Sequence, residues 1–341
     1  MNTTVVGSFP LANTPANFEM AFIDQVNAGI TIPCYPQLVD MNHQILDPLS
    51  KLIPGLKLVN KEFHLAGDLV LPKDIVATEY GKQVVEILKK KPDLKKKIAG
   101  TKACLTGPFT LCSNIILDDP KWVAKYGKPL LFLETRAHLV PEIVEAVASY
   151  IARITKAYKD MGFAIISIDD PFLSQMVGRK KILFHERPFL VKILNEAAKN
   201  LQKEGSLHVC GALSPQLRDL LLETSIHHLD HEFKTNPQNI ELFDKKMLAD
   251  RGKVLAFGSL QTNPVPMPGK KPEDFVENVE DIAKHLQIGK DRFGAENLLI
   301  KPDCGFGGMN AFDRAYGAGV GHEIVKKKLK AMTTAVKQVF G

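Results

Sequence analysis

A histidine and a cysteine two residues apart, His208 and Cys210 in Leu207-His208-Val209-Cys210-Gly211, are where residue type and spacing point first to chemistry. Side chains alternate along an extended segment, so both project to one side and can hold one ion. Imidazole with thiolate suits zinc among the first-row metals, and a catalytic zinc takes about three protein ligands and keeps one position open. Two further donors lie downstream, each at the end of a short apolar run. One is Glu232 in His227-His228-Leu229-Asp230-His231-Glu232-Phe233, the other Cys304 in Leu298-Leu299-Ile300-Lys301-Pro302-Asp303-Cys304-Gly305. Asp230 and His231 are neighbours that could serve in place of Glu232; alternation puts Asp230 on the face of Glu232 and His231 opposite. A buried cysteine alone commonly packs as a small hydrophobe, so the weight falls on where the chain brings these donors.

Eight short β-rich runs, at 4–8, 29–34, 102–106, 164–169, 207–211, 228–233, 254–259 and 298–303, alternate with segments of helical period. Helices are expected at 15–27, 141–161, 188–203, 214–223, 237–250, 272–286 and 322–339. In 141–161, Ile143, Val147, Ile151, Ile154 and Tyr158 form one apolar stripe. Glu142 and Glu145 stand early in it and Lys156 and Lys159 late, as the helix dipole prefers, and Gly162 offers a left-handed cap. Ser214-Pro215 sets a capping hydroxyl before a proline at the first helical position. Eight strand signals alternating with helices, without a linker or a composition break, predict an α/β fold: a single (β/α)8 TIM barrel over residues 1–341. A doubly wound sheet would use fewer strands. Insertions after strands 2 and 3, at 35–100 and 107–136, would fall on the C-terminal face and wall or cover a site; the second carries Pro108, Pro120, Trp122 and Pro129.

In this frame Ser8 ends the first run, Thr106 the third, Asp169 and Asp170 the fourth, and His208 and Cys210 the fifth. Glu232 ends the sixth, Gln261 and Asn263 follow the seventh, and Cys304 ends the eighth. All converge on the rim where barrel enzymes do their chemistry. Two thiolates place negative charge on a zinc ion and weaken it as a Lewis acid toward carbonyls or water, while it still binds and deprotonates a soft thiol. The thiolate is the nucleophile. The expected chemistry is attack of a substrate thiolate on an alkyl group rather than hydrolysis. Gly305, Gly307 and Gly308 have no Gly-Lys-Ser/Thr after them and read as a tight turn, not a phosphate loop.

Composition excludes several other classes. With 45% hydrophobic and 24% charged residues in 341, the chain is ordinary for a globular protein with a large core. Much of the net charge of +6 sits at 89–97 and 326–330. Both stretches read as solvated helix ends, and neither interleaves aromatics, so no nucleic-acid face is expected. Five scattered cysteines, at 34, 104, 112, 210 and 304, do not make a disulfide framework. No signal peptide or membrane span is legible, and a cytoplasmic location is expected.

As separated motifs over nearly the whole chain, these residues resemble the catalytic barrel of cobalamin-independent methionine synthase, within the broader uroporphyrinogen-decarboxylase-like group of zinc thiol methyltransferases. The resemblance implies zinc ligation by His208, Cys210, Glu232 and Cys304, in that order. Val6-Gly7-Ser8-Phe9-Pro10 is similar to the opening motif, whose serine and preceding backbone hold the homocysteine carboxylate. Leu105-Thr106-Gly107-Pro108 matches the third-strand motif, and Ile168-Asp169-Asp170-Pro171 is similar to the Asp-Glu-Pro motif, whose first acid binds the amino group. Val6, Gly7, Ser8, Thr106 and Asp169 are thus the implied substrate contacts, and no catalytic residue is implied beyond the zinc-activated substrate thiol.

Three departures narrow the expectation. The folate enzyme has a second, N-terminal barrel; its second-strand His-Gly-Glu stands here as Pro33-Cys34-Tyr35; and Gly258-Ser259-Leu260-Gln261-Thr262-Asn263 carries no histidine to help protonate a folate leaving group. Co(I) expelled from methylcobalamin needs no proton. The chain therefore resembles short archaeal-type relatives that take methyl from a corrinoid. The expected function is zinc-dependent methyl transfer from a methylcorrinoid, as methylcobalamin or on a corrinoid carrier protein, to homocysteine, forming methionine. Coenzyme M is the alternative acceptor, although an acid at Asp169 suits an amino group and would repel a sulfonate. Of another class are a zinc-free decarboxylase-like barrel and a corrinoid-protein-binding module.

Overall fold

The computed structural model describes residues 1–127 and 134–341, so Pro129 lies outside the described residues. Its strands are β1 (Leu56–Val59), β2 (Glu62–Leu65), β3 (Lys102–Thr106), β4 (Ile115–Leu117), β5 (Ile165–Asp169), β6 (Gly205–Val209), β7 (His228–His231), β8 (Val254–Gly258) and β9 (Leu298–Lys301). Six of them form a parallel sheet in the order β3-β5-β6-β7-β8-β9. The first two β-rich runs join its ends by single parallel bridges, Thr3 to Ile300, Thr4 to Ile32 and Cys34 to Lys102. The eight runs therefore stand side by side around a (β/α)8, TIM-type barrel.

The bridges stay single for local reasons. Pro33 has no amide hydrogen to give a ladder, though its carbonyl accepts from Lys102 N at 2.9 Å. Side chains replace part of the pairing: Thr3 N donates to Thr31 Oγ1 at 2.8 Å, and Thr4 Oγ1 to the Ile32 carbonyl at 2.7 Å.

Helices cover the outside. The stripe of Pro141–Asp160 is buried as its period predicts, and Ser214 Oγ caps Pro215–Glu223 by accepting from Leu217 N at 3.0 Å. Two expected helices are interrupted. Residues 237–250 form a 3-10 turn, Pro237–Leu242, and then a helix, Lys245–Asp250, because Asp244 accepts from Met247 N at 2.8 Å and starts a new helix. Pro272–Phe275 is likewise a 3-10 turn, and the helix itself, Val279–Phe293, begins at the Asn278 cap. The lysines at 326–330 lie inside Val320–Phe340 rather than at its end, and Lys328 is buried against Glu277 at 2.6 Å.

The insertions follow the second and third β-rich runs, and the structure joins them. β1 and β2 form an antiparallel hairpin, and β2 pairs in parallel with β4 through Phe63–Ile115, His64–Ile116 and Leu65–Leu117. Phe63, Leu65, Ile115 and Leu117 share the core that lines the strands and helices. A separate small cluster, Ile32, Ile165, Ala256 and Leu299, fills the barrel near the strand starts. Among the described residues, no helix is long and apolar enough to cross a membrane.

Candidate metal and substrate site

β6 places His208 in the barrel and Cys210 just past its end, and the turn after β9 brings Cys304 to them. His208 Nε2 lies 2.9 Å from Cys210 Sγ and 3.6 Å from Cys304 Sγ, and the two sulfurs are 3.4 Å apart. Zinc bonds of about 2.3 Å to sulfur and 2.0 Å to nitrogen, at tetrahedral angles, set donors roughly 3.5–3.8 Å apart. The donor set fits zinc; the separations of 3.4 and 3.6 Å are close to that spacing, and the 2.9 Å between His208 and Cys210 would have to widen by about 0.6 Å to admit an ion. His208 is buried and both cysteines are partly buried, so an ion there would keep a path to substrate. Among the described residues, no other group of three or more histidine, cysteine or acidic side chains converges this way.

The electrostatics favour a thiolate. The Cys304 thiol is held well below its usual range by the hydrogen bond from Cys210 and then by His208 and Lys301, while that same bond, with burial, pushes Cys210 up. Burial works against a charged His208, but the Asp230 carboxylate outweighs it and raises the imidazole to about 10. Asp230 accepts from His208 Nδ1 at 2.6 Å, so it lies behind the imidazole rather than beside the sulfurs. His231, on the opposite face of β7, stacks on Phe243 and bonds the Val209 carbonyl at 3.2 Å.

Glu232 is not among the three converging residues. Its carboxylate accepts from Asn236 Nδ2 at 2.5 Å, and its backbone carbonyl from Asn239 at 2.8 Å. Burial, and then the charges of Cys304 and Asp303, push its pKa up, so it stands close enough for the site's negative charge to oppose its own.

Ser8 is clasped to the backbone just beyond Cys304. Its carbonyl accepts from Phe306 N at 2.8 Å and its Oγ from Gly307 N at 3.1 Å. The approach needs a glycine at 305, where any Cβ would collide with Ser8 Oγ, and another at 7, whose φ is +153° and where a Cβ would meet Cys104 Sγ. Val6 is buried beneath. A cleft of about 420 Å³ opens above Ser8, lined also by Gln37, Asp40, Met41 and Asn310. Sequence reasoning missed those four; their only signal is that they follow the second run and the Cys304 turn. Thr106 is not free to bind substrate through its proton, since its Oγ1 donates to the Met41 carbonyl at 2.5 Å and ties the first insertion to β3.

The adjacent acids differ sharply. Asp170 accepts from Phe109 N at 3.0 Å and from Thr110 N and Oγ1 at 2.7 and 2.6 Å, which caps Pro108–Ser113; burial still pushes it up to about 7. Asp169 is buried, faces Thr106 and His208 in register, and takes a single hydroxyl, from Ser167 at 2.5 Å. Burial raises its pKa while His208 and Lys102 oppose the rise. Of the two, Asp169 keeps lone pairs for a ligand. Tyr35, where the resemblance has an acid, donates its hydroxyl to the Cys104 carbonyl and accepts from Gln44 at 3.1 Å. Asn263 and Gln261 are both exposed; Asn263 reaches the Gly308 turn, and Gln261 has its backbone N on Glu277 at 2.9 Å.

No family model matches the chain. It is 28% identical to the methionine synthase of Methanothermobacter thermautotrophicus, over 89% of this chain and 93% of that one. Its identity to the methionine synthase of Methanothermobacter marburgensis is 27%, with the same coverage. Among solved structures, a B12-independent methionine synthase from Shewanella sp. W3-18-1 in complex with selenomethionine superposes with a TM-score of 0.68 at 16% identity, covering 99% of this chain and 97% of that one. A methyltransferase from Methanosarcina mazei gives 0.59 at 15% identity, over 96% and 86%. Fold and relatives together define the class: this is an enzyme, a methyltransferase on a TIM-type barrel. What the chain resembles over most of its length is the methionine-synthase barrel family.

Proposed function

We propose that the chain is a zinc-dependent methyltransferase that moves methyl from a methylcorrinoid to the thiol of homocysteine, forming methionine. The observation that carries this reading is the convergence of His208 Nε2, Cys210 Sγ and Cys304 Sγ, 2.9 to 3.6 Å apart, on the rim of the barrel. Those three residues would hold zinc, and Glu232, whose carboxylate now accepts from Asn236, would have to turn toward them to complete the set before substrate arrives. With zinc held by His208, Cys210 and Cys304, an incoming thiol would have its pKa lowered and be available as a thiolate at neutral pH. The ion's charge is softened by two cysteinates, which suits alkyl transfer better than hydrolysis.

The remaining roles belong to the protein. Ser8 and the backbone of Val6 and Gly7 receive the amino acid's carboxylate. Asp169, with lone pairs to spare, takes its ammonium group. Thr106 holds Met41 and so shapes the wall of the cleft. The names of the archaeal relatives support homocysteine as acceptor. The donor is argued from the loop after β8, where Gln261 and Asn263 offer no imidazole, only amides that donate hydrogen bonds but are too weakly acidic to protonate a departing folate amine. Cobalt departs with the bonding pair and needs none. A corrinoid carrier protein would approach over the insertions 35–100 and 107–136.

The purified chain, supplied with methylcobalamin and homocysteine, is expected to form methionine, faster with a methylated corrinoid protein, with no turnover from methyltetrahydrofolate and little with coenzyme M as acceptor. Turnover with the folate alone would overturn the donor assignment, and preference for coenzyme M would overturn the acceptor.

A further inference from the structure

Beneath the site lies a buried charge cluster that the methyl-transfer reading does not use. Asp230, fully buried on β7, receives Lys301 Nζ on Oδ1 at 2.6 Å and Lys102 Nζ on Oδ2 at 3.0 Å, while Oδ1 also faces His208 Nδ1 at 2.6 Å. The two lysines come from β3 and β9, on opposite sides of β7 around the barrel, and both are essentially inaccessible. Lys301 Nζ donates in addition to the Asp303 carbonyl at 2.6 Å. Asp303 in turn accepts from the amides of Phe233, Lys234 and Thr235 at 3.0, 3.0 and 2.5 Å, which fixes the turn leading to Cys304.

Barrel interiors are commonly filled with layers of branched apolar side chains. Burying two ammonium groups and a carboxylate there gives little stability that apolar side chains of similar volume would not give. What the cluster supplies instead is position. A carboxylate anchored from both sides cannot swing toward the sulfurs, and its one lone pair facing β6 fixes the imidazole with Nδ1 inward and Nε2 toward Cys210 and Cys304.

We propose that Asp230, clamped by Lys102 and Lys301, is a positioning residue that orients His208 for metal and keeps Nε2 as its donor atom. Asp230 is thus no alternative ligand to Glu232. The inference rests on the zinc reading above. Partners that orient a metal-binding histidine typically contribute about 10–100-fold in metal affinity.

Removing the carboxylate alone would strand two buried lysines, so charge-matched variants test the idea. Lys102→Met with Asp230→Asn keeps an oxygen for His208 Nδ1, and Lys102→Met with Asp230→Leu does not. At unchanged circular dichroism, the Leu pair is expected to bind zinc about 10–100-fold more weakly in competition with a chelator, and to shift the visible bands of the cobalt(II) form. The Asn pair should restore most of both. Equal affinity and identical bands in the two pairs would overturn the proposal. A wild-type measurement covers the case in which neither variant folds. In the cadmium-113-loaded chain with nitrogen-15-labelled histidine, His208 should couple to the metal through Nε2 and carry a strongly downfield Nδ1 proton. Coupling through Nδ1 would overturn the proposal, whereas wild type that binds no metal at all would instead sink the zinc reading on which it rests.

Discussion

The two sides of the barrel are built differently. From β5 through β9, neighbouring strands share ladders of four registered pairs, Ile166–Gly205 through Asp169–His208 among them. The opposite side is closed by lone bridges at Thr3, Thr4 and Cys34, and from it emerge the Ser8 segment and the first insertion. The ladder side carries His208, Asp230 and the approach to Cys304, groups whose spacing must hold to a few tenths of an ångström. The bridged side carries Ser8, the proposed carboxylate contact, and the first insertion, where shape matters more than fixed distance; the proposed ammonium contact, Asp169, stands on the ladder side beside His208. Catalytic constellations gain from rigid elements, and this division puts the proposed metal donors on the half with the longer ladders.

The sharpest way to break that comparison is at the donors. Cys210→Ser and Cys304→Ser should each lower methyl transfer by more than about 100-fold, because partners that only orient ligands already contribute about 10–100-fold. The folded barrel should survive, since both side chains sit on the rim and not in the core. Full turnover in both variants would remove these cysteines from the site.

The neighbouring acids sharpen the contrast between holding the fold and holding substrate. Asp170→Ala strands the amides of Phe109 and Thr110 and should cost about 2–4 kcal/mol in chemical denaturation, from a lost cap and unpaired buried groups. Asp169→Asn should leave stability nearly unchanged and weaken homocysteine binding by about 1.5–3 kcal/mol, roughly ten- to a hundredfold, read by calorimetry. An unaltered affinity would point to an acceptor without an ammonium group.

Much of this was legible before any coordinates. The strand runs stood out because each is short, β-rich and followed by a helical period, and the donors because chemically capable residues end those runs. Residue type alone does not separate Asp169 from Asp170, and in sequence only the resemblance favours Asp169 for substrate; the fold supplies the physical difference by setting Asp170 beneath the first turn of Pro108–Ser113. The pairing of β2 with β4 was hidden as well, because it joins two insertions with no periodic relation between them. Lys102 and Lys301 did carry a signal, a lysine inside an otherwise apolar β-rich run, but the partner 128 residues from Lys102 is visible only in three dimensions.

A separate effect follows from pH. In the metal-free chain, Asp230 raises His208 from 6.5 to about 10. A raised histidine stabilises the fold fully below its unfolded value and loses that contribution as pH rises through the folded one. With chelator present, the melting temperature should therefore decline between about pH 6.5 and 10. Zinc must displace the same proton, so its apparent affinity should rise over that window, and the loaded chain should lack this decline. A metal-free chain whose melting temperature is flat across the window would mean that the His208–Asp230 pair is not formed.

The smallest effect belongs to the bridged side. Ser8→Ala removes one hydrogen bond from Gly307 N and one contact offered to a carboxylate, and should raise the homocysteine requirement by about 0.5–1.5 kcal/mol, without changing metal content. Loss of metal in this variant would show that the two sides are not independent.

The most direct test is the zinc content of the purified wild-type chain after exhaustive dialysis, measured by elemental analysis alongside its methyl-transfer rate. One zinc per chain, with the rate abolished by chelation and restored by zinc, is the predicted result. Full methyl transfer to homocysteine from a preparation that holds no zinc would contradict it.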